Sequence, residues 1–162
     1  MSINRRVFLG SAAAVSATLA APMVVRAQAS ANVVVVGGGA GGATAARYIA
    51  QASNGAINVT LIEPSRAYYT CFFSNLYLGG FREFDSLGHT YGKLASDYGI
   101  NVVHDWATAV DRDAKTVSLA GGGAVPYDRL VLSPGIDFIE DSVPGWSTAS
   151  QNVMPHAYKG GS

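Results

Sequence analysis

Cysteine is almost missing: Cys71 stands alone among 162 residues. A single thiol excludes an internal disulfide framework, and in an oxidising compartment it either bonds to something outside the chain or stays buried and inert. The first 29 residues contain no acid. No internal repeat and no run of like charge appears, which excludes solenoid arrays and charged interaction tails. His89, His104 and His156 have no ligand spacing between them, so a histidine-built metal centre is excluded and the three read as structural. The alanine-rich apolar run from Ser11 to Met23 is shorter than the roughly 20 residues a membrane-spanning helix needs, so no stable membrane insertion is expected.

What the amino terminus does contain is a targeting layout. Arg5 and Arg6 sit side by side in Asn4-Arg5-Arg6-Val7-Phe8-Leu9, the apolar run follows, and small residues flank Val25-Arg26-Ala27 and Ala27-Gln28-Ala29. Residues 1–29 therefore read as a twin-arginine signal peptide, with a transmembrane anchor as the competing reading. The expected destination is the periplasm. That export route carries folded proteins, which suits a chain that must collect a nucleotide cofactor before leaving the cytoplasm. Without Arg5, Arg6 and Arg26, eight basic residues face eleven acidic ones, a net charge near −3. Nucleic acid is excluded as a partner on that balance. Residues 30–162 are enough for one domain with its own core.

Ala31 to Val36 is a continuous β-branched run, the pattern of a parallel strand covered on both faces. Gly37-Gly38-Gly39-Ala40-Gly41-Gly42 follows at once and leads into Ala43 to Ala50, a good helix sequence closed by Ser53-Asn54-Gly55. Ile57 to Ile62 is a second apolar strand, which completes a βαβ unit. Pro64 to Gly80 is aromatic and irregular, and reads as a loop packed on something flat. The spacing predicts a helix over 86–98 and a short strand over 100–103. Strands 107–110 and 116–119 flank the hairpin turn Asp111-Arg112-Asp113-Ala114-Lys115, and Gly121-Gly122-Gly123 turns the chain toward Ala124-Val125. Arg129 to Leu132 reads as another buried strand, stopped by Ser133-Pro134-Gly135. Pro144-Gly145, Pro155 and a polar glycine end follow.

The glycine spacing G-x-G-x-x-G carries chemistry. Gly37 makes the tight turn, Gly39 lets the backbone approach a pyrophosphate, and Gly42 lets the helix pack close to the strand. A helix starting near Gly41 points its free N–H groups and positive dipole end at the phosphates, so no basic residue is needed. Glu63 ends the next strand about 20 residues past the loop, where a carboxylate accepts hydrogen bonds from both ribose hydroxyls and repels a 2′-phosphate. That favours FAD or NAD over NADP. A glycine-rich turn alone is the plainer alternative.

Cys71 bears on which of the two is bound. It lies eight residues past Glu63, and an extended chain covers at most roughly 3.3–3.6 Å per residue, enough to reach the far end of a dinucleotide whose ribose is held by Glu63. Its aromatic neighbours Tyr68, Tyr69, Phe72, Phe73 and Tyr77 can wall an isoalloxazine ring. Two readings stand at this point: a thiolate that forms a thioether with the flavin 8α-methyl group, or a small buried core thiol. Asp105, Asp111 and Asp113 read as turn and cap residues.

A family resemblance can now be stated on specific residues. Val33 to Ala46 with its glycines, Thr60-Leu61-Ile62-Glu63-Pro64, Tyr68-Tyr69-Thr70-Cys71 with Ser74-Asn75, and Val102-Val103-His104-Asp105 with Ala107-Thr108 resemble the flavoprotein subunit of flavocytochrome c sulfide dehydrogenase. Tyr127-Asp128-Arg129 with Pro134-Gly135 and Pro155-His156-Ala157 do so too. The resemblance implies an α/β fold: a Rossmann-like FAD-binding βαβ unit with a parallel sheet plus a small β-hairpin or meander, incomplete relative to the full family fold. It implies FAD held by Gly37, Gly39, Gly41 and Gly42, by Glu63 and Pro64, by Ala107, and by Pro134 and Gly135, with Cys71 as the 8α-S-cysteinyl attachment. It also implies a periplasmic enzyme that oxidises sulfide and passes electrons to the haems of a cytochrome c subunit. The family's subunit continues into further domains that supply the two cysteines of the sulfide-attacking disulfide. This chain ends at Ser162 with neither, so no catalytic residue is expected within it, and residues 30–162 are expected to be the N-terminal part of the FAD domain. A related flavin oxidoreductase using quinone or pyridine nucleotide, and a nucleotide-binding module without redox chemistry, are the alternatives.

Overall fold

The computed structural model describes residues 31–140, 142–147, 149–150 and 153; the expected signal peptide, Pro155 and His156 lie outside the described residues. Strand β1 (Ala31–Val36) is the centre of the architecture. It pairs in parallel with β2 (Ile57–Ile62) on one side and with β9 (Arg129–Leu132) on the other, and β5 (Asn101–Val103) extends the sheet beyond β2 in parallel. The spatial order is β5-β2-β1-β9.

Alternation along β1 sends its valines to two different cores, because successive side chains on a strand point to opposite faces. Val33 and Val35 join Ala46 and Ala50 of helix α1 (Ala40–Ser53), with Val59, Leu61, Tyr91 and Ile100. Leu94 and Tyr98 of helix α3 (Gly92–Tyr98) pack against the same cluster. Val34 faces the other way and forms a second core with Ile62 and Val117. That second core is closed by an antiparallel sheet of β6 (Ala107–Asp111), β7 (Thr116–Leu119) and β8 (Ala124–Pro126). Helices, parallel sheet and antiparallel sheet thus make three layers, and β1 is buried because both its faces are covered. Each fully buried valine contributes roughly 1.5–3 kcal/mol.

Helix α1 lies against the sheet along Gly42, Ala46 and Ala50, small residues spaced by four on one face. It runs longer than its sequence pattern, from Ala40 through Ser53, and stops where Asn54 takes the left-handed conformation at φ 48° and its N–H bonds the Gln51 carbonyl at 3.3 Å.

Three expectations are corrected. The stretch 64–80 is not all irregular: β3 (Ala67–Tyr69) pairs antiparallel with β4 (Gly88–Thr90), and a short helix α2 (Ser74–Leu78) follows. The predicted helix over 86–98 survives only as α3; its first half is a 3-10 turn (Phe84–Leu87) and then β4, because Leu87 is buried and its carbonyl accepts the Thr70 N–H at 3.0 Å. Finally, β9 is less buried than its apolar composition suggests: β1 is its sole strand partner among the described residues, and Leu132 is 61% exposed. No helix among the described residues is long and apolar enough to cross a membrane.

Candidate functional site

The loop after β1 is built from glycines that are required for different reasons. At Gly37, φ is +99° and an added Cβ would lie 2.1 Å from the Ser133 carbonyl oxygen; at Gly42 it would lie 1.8 Å from the Gly37 carbonyl oxygen. Both contacts are with backbone, so these two positions are fixed by the protein's own packing. Gly41 is intermediate, with its Cβ position 3.0 Å from Ser133 Oγ. Gly39 is the exception. Its φ of −67° suits any residue, and its Cβ position meets nothing nearer than Tyr68 Cε2 at 3.6 Å. The protein leaves room for a side chain there, so a glycine is explained by what must approach from outside.

Gly39 is also the N-cap of α1, where no side chain caps the helix and no acid stands in the first turn. No acid of its own first turn and no side-chain cap offsets the positive end of α1, which begins just past Gly39. These features fit a diphosphate: a backbone cradle open at one glycine and a helix end that offers N–H groups.

Glu63 lies at the far side of the same loop. Its carboxylate accepts the Gly38 N–H at 2.7 Å through Oε2 and the Ser65 N–H at 2.9 Å through Oε1, around the corner made by Pro64. Each carboxylate oxygen keeps lone pairs for a further donor such as a ribose hydroxyl. The Glu63 backbone is held by the Val103 carbonyl at 2.9 Å and by His104 Nδ1 at 3.1 Å, which gives His104 the structural role its sequence context suggested. The aspartates also act as read: Asp111 Oδ1 accepts the N–H groups of Asp113 and Ala114 at 2.9 and 2.8 Å, and Asp105 accepts those of Trp106 and Gly121.

The end of β9 arrives at the same place. Ser133 N–H donates to the Val36 carbonyl at 2.8 Å, and Pro134 Cα lies 3.3 Å from the Cβ position of Gly37. Pro134 thus borders the glycine loop, and Gly135 follows it at φ +79°. Ala107 is half-buried against the second core of Val34, Ile62 and Val117, at the start of β6.

Cys71 is exposed, which removes the buried-thiol reading. It sits in a tight turn: Ser74 donates to the Cys71 carbonyl from Oγ at 2.8 Å and from N at 3.2 Å, and the Phe72 N–H bonds Thr70 Oγ1 at 3.1 Å. Phe73, two residues on, has φ +66°, a conformation that costs a bulky residue on the order of 1–2 kcal/mol. Such strain concentrates at functional turns. The aromatics divide. Tyr68 packs on the first core and reaches Gly39; Tyr69 stacks on Phe84 with centroids 4.8 Å apart, and Tyr77 meets the same ring. Phe72 and Phe73 stay 60% and 58% exposed beside the thiol.

Three functional positions escape sequence reasoning. Gly38 occupies a variable place in the glycine pattern, yet its Cβ would lie 2.7 Å from both Glu63 Cγ and Tyr91 Oη. Tyr91 is buried and donates its hydroxyl to the Gly38 carbonyl at 3.0 Å. Burial pushes the Tyr91 hydroxyl well above the usual tyrosine range, and the Glu63 charge adds to this. Ser133 touches three glycines of the loop. Tyr91 and Ser133 reach the loop from far away in sequence, and Gly38 owes its constraint to Tyr91 and Glu63, so no local pattern announces them. Among the described residues no group of three or more acidic, histidine or cysteine side chains could hold a metal ion.

Known proteins resemble this chain in sequence and fold. The chain is 33% identical over 106 residues to the sulfide-quinone reductase of Aquifex aeolicus, covering 64% of this chain and 24% of that protein. The sulfide:quinone oxidoreductase structure from Aquifex aeolicus superposes with a TM-score of 0.59 at 28% identity, covering 68% of this chain and 26% of the other. An NAD-dependent persulfide reductase from A. fulgidus gives 0.60 at 30% identity, over 70% of this chain and 23% of the other. A water-forming NADH oxidase from Lactobacillus brevis gives 0.58 at 27%, over 68% and 27%. The chain thus spans about a quarter of the length of these relatives. The family model for pyridine nucleotide-disulphide oxidoreductases matches residues 31–158, and the chain belongs to that family of FAD/NAD(P)-binding oxidoreductases.

Proposed function

We propose that this chain is the N-terminal FAD-binding part of an exported sulfide-oxidising flavoprotein, with the flavin joined covalently to Cys71. The carrying observation is the exposed thiol in a hydrogen-bonded turn, three residues after the tyrosine that borders the glycine loop. Three residues span at most about 11 Å, so Cys71 stays within one flavin's length of the loop. Bound FAD supplies two-electron redox chemistry. The chain's own residues would hold it: the Gly39 backbone and the α1 N-terminus would take the pyrophosphate, Glu63 the adenosine ribose, and Cys71 Sγ the 8α carbon in a thioether. In that attachment the thiol and the 8α-methyl each give up a proton and the electron pair passes into the flavin ring, which is the oxidant for its own attachment. Export by the twin-arginine signal puts the holoprotein in the periplasm, where a cytochrome c subunit accepts the electrons. Sulfide is the substrate proposed for the whole enzyme; the likeness to a sulfide-quinone reductase and a persulfide reductase supports sulfur chemistry.

Denaturing electrophoresis of the exported protein tests the attachment. The polypeptide band fluoresces as flavin, and the Cys71→Ser band is dark. A Cys71→Ser band that keeps the fluorescence overturns the proposal. The likeness to the Aquifex aeolicus enzyme favours a second reading with quinone as acceptor. Co-purification with a haem protein supports the first, and quinone reduction without one supports the second.

A further inference from the structure

We propose that Tyr91 is a positioning residue for the diphosphate of the bound nucleotide: by holding the Gly38 carbonyl, its hydroxyl turns the Gly39 N–H toward the ligand. The inference rests on the nucleotide-site reading above and deepens it. Gly38 is gripped from both ends. Its N–H goes to Glu63 Oε2 at 2.7 Å, and its carbonyl receives the Tyr91 hydroxyl at 3.0 Å. The Gly38–Gly39 peptide is trans, and in a planar trans peptide the C=O and N–H point in opposite directions. With the carbonyl fixed on Tyr91, the Gly39 N–H is directed away from it. That N–H meets no acceptor among the described residues. It belongs to the one loop glycine whose Cβ position is left open by the protein.

Tyr91 is built to do this. Its ring is 5% exposed and packs in the first core, and His104, itself bonded to the Glu63 carbonyl, lies against it with centroids 6.0 Å apart. Burial and the Glu63 charge keep the phenol protonated, so it remains a donor. A buried phenol needs some partner in any case. A purely structural hydroxyl, however, leaves unexplained why the clamped carbonyl belongs to the peptide whose own N–H has no acceptor. The clamp also explains Gly38: any side chain there would collide with the Tyr91 hydroxyl at 2.7 Å and with its ring at 2.8 Å.

The test uses calorimetric titration, with ADP and with adenosine, of the full chain expressed in a riboflavin-starved host so that no flavin occupies the site. Both ligands present a ribose to Glu63, but only ADP presents a diphosphate. Tyr91→Phe keeps the packed ring and removes the clamp. The expected result is that the wild-type preference for ADP over adenosine falls about tenfold, the equivalent of roughly 1.4 kcal/mol. An unchanged preference in a variant that still binds nucleotide overturns the inference and leaves the site intact. A wild-type chain that binds neither ligand overturns the nucleotide site and the inference together. Should Tyr91→Phe fail to fold, amide NMR of the wild-type chain decides. The Gly39 resonance is expected to move on adding ADP and not on adding adenosine; a Gly39 amide unmoved by ADP overturns the role.

Discussion

At the scale of single residues, the glycine loop separates fold from function. Gly42→Ala forces a Cβ to 1.8 Å from a backbone carbonyl, and the backbone shift it demands costs about 1–3 kcal/mol or more. Gly39→Ala meets only an ordinary contact at 3.6 Å and costs no more than about 1 kcal/mol as a poorer N-cap. The expected outcome is opposite phenotypes. Compared as flavin-free proteins, Gly42→Ala lowers the urea midpoint sharply and Gly39→Ala leaves it nearly unchanged, whereas Gly39→Ala purified from a flavin-replete host carries little flavin by absorbance. Equal losses of stability in the two variants would contradict the assignment of Gly39 to the ligand. Tyr91 makes a second prediction. Its hydroxyl is held above the ordinary value near 10 in the folded chain, so the neutral phenol favours folding. That contribution is complete below about pH 10 and is lost as the pH rises, because the unfolded phenol ionises first. Tyr91→Phe should therefore show a shallower fall of unfolding free energy between pH 10 and higher pH, measured by urea titration at each pH; equal slopes refute the shift.

At the scale of elements, legibility in the sequence followed the length of the repeating pattern. Strand β1, helix α1 and strand β2 were readable because Val33 to Val36 is a β-branched run stopped by glycines, Ala43 to Ala50 is rich in helix formers and closed by Ser53-Asn54-Gly55, and Ile57 to Ile62 is an apolar run of strand length. The β6–β7 hairpin was readable from its turn chemistry, and Asp111 caps that turn as its position suggested. Asp111→Ala removes an acceptor for two backbone N–H groups and should lower stability by about 1 kcal/mol in chemical denaturation, with flavin content unchanged. Strands β3 and β4 span three residues each, too short for any period to show, and they are anchored by half-buried Tyr68 against the first core and by buried Leu87 just before β4. The same limit hid half of the site. Glu63 and the outer glycines followed from spacing, but the contacts of Tyr91 and Ser133 with the loop span 53 residues in one case and join β9 to β1 in the other. Such contacts are set by the packing of the sheet, not by neighbours in the chain.

At the scale of the whole molecule, one strand organises both the core and the chemistry. Because β1 is central, its carboxyl end delivers Gly37 to Gly42 between the ends of β2 and β9, where Glu63 and Ser133 follow directly. This is the crevice where open parallel sheets bind ligands. A nucleotide bound there links layers that otherwise meet only through the two cores, so ligand at about 100 times its dissociation constant should add about 2.7 kcal/mol to unfolding. Family membership fixes the FAD/NAD(P)-binding oxidoreductase class, and the exposed thiol at Cys71 is the ground on which an attached flavin is proposed. Mass spectrometry of the proteolytic peptide containing Cys71, taken from the exported protein, tests that claim most directly. The account predicts a peptide carrying the mass of FAD on Cys71; a peptide recovered wholly as the free thiol from flavin-loaded protein would contradict it.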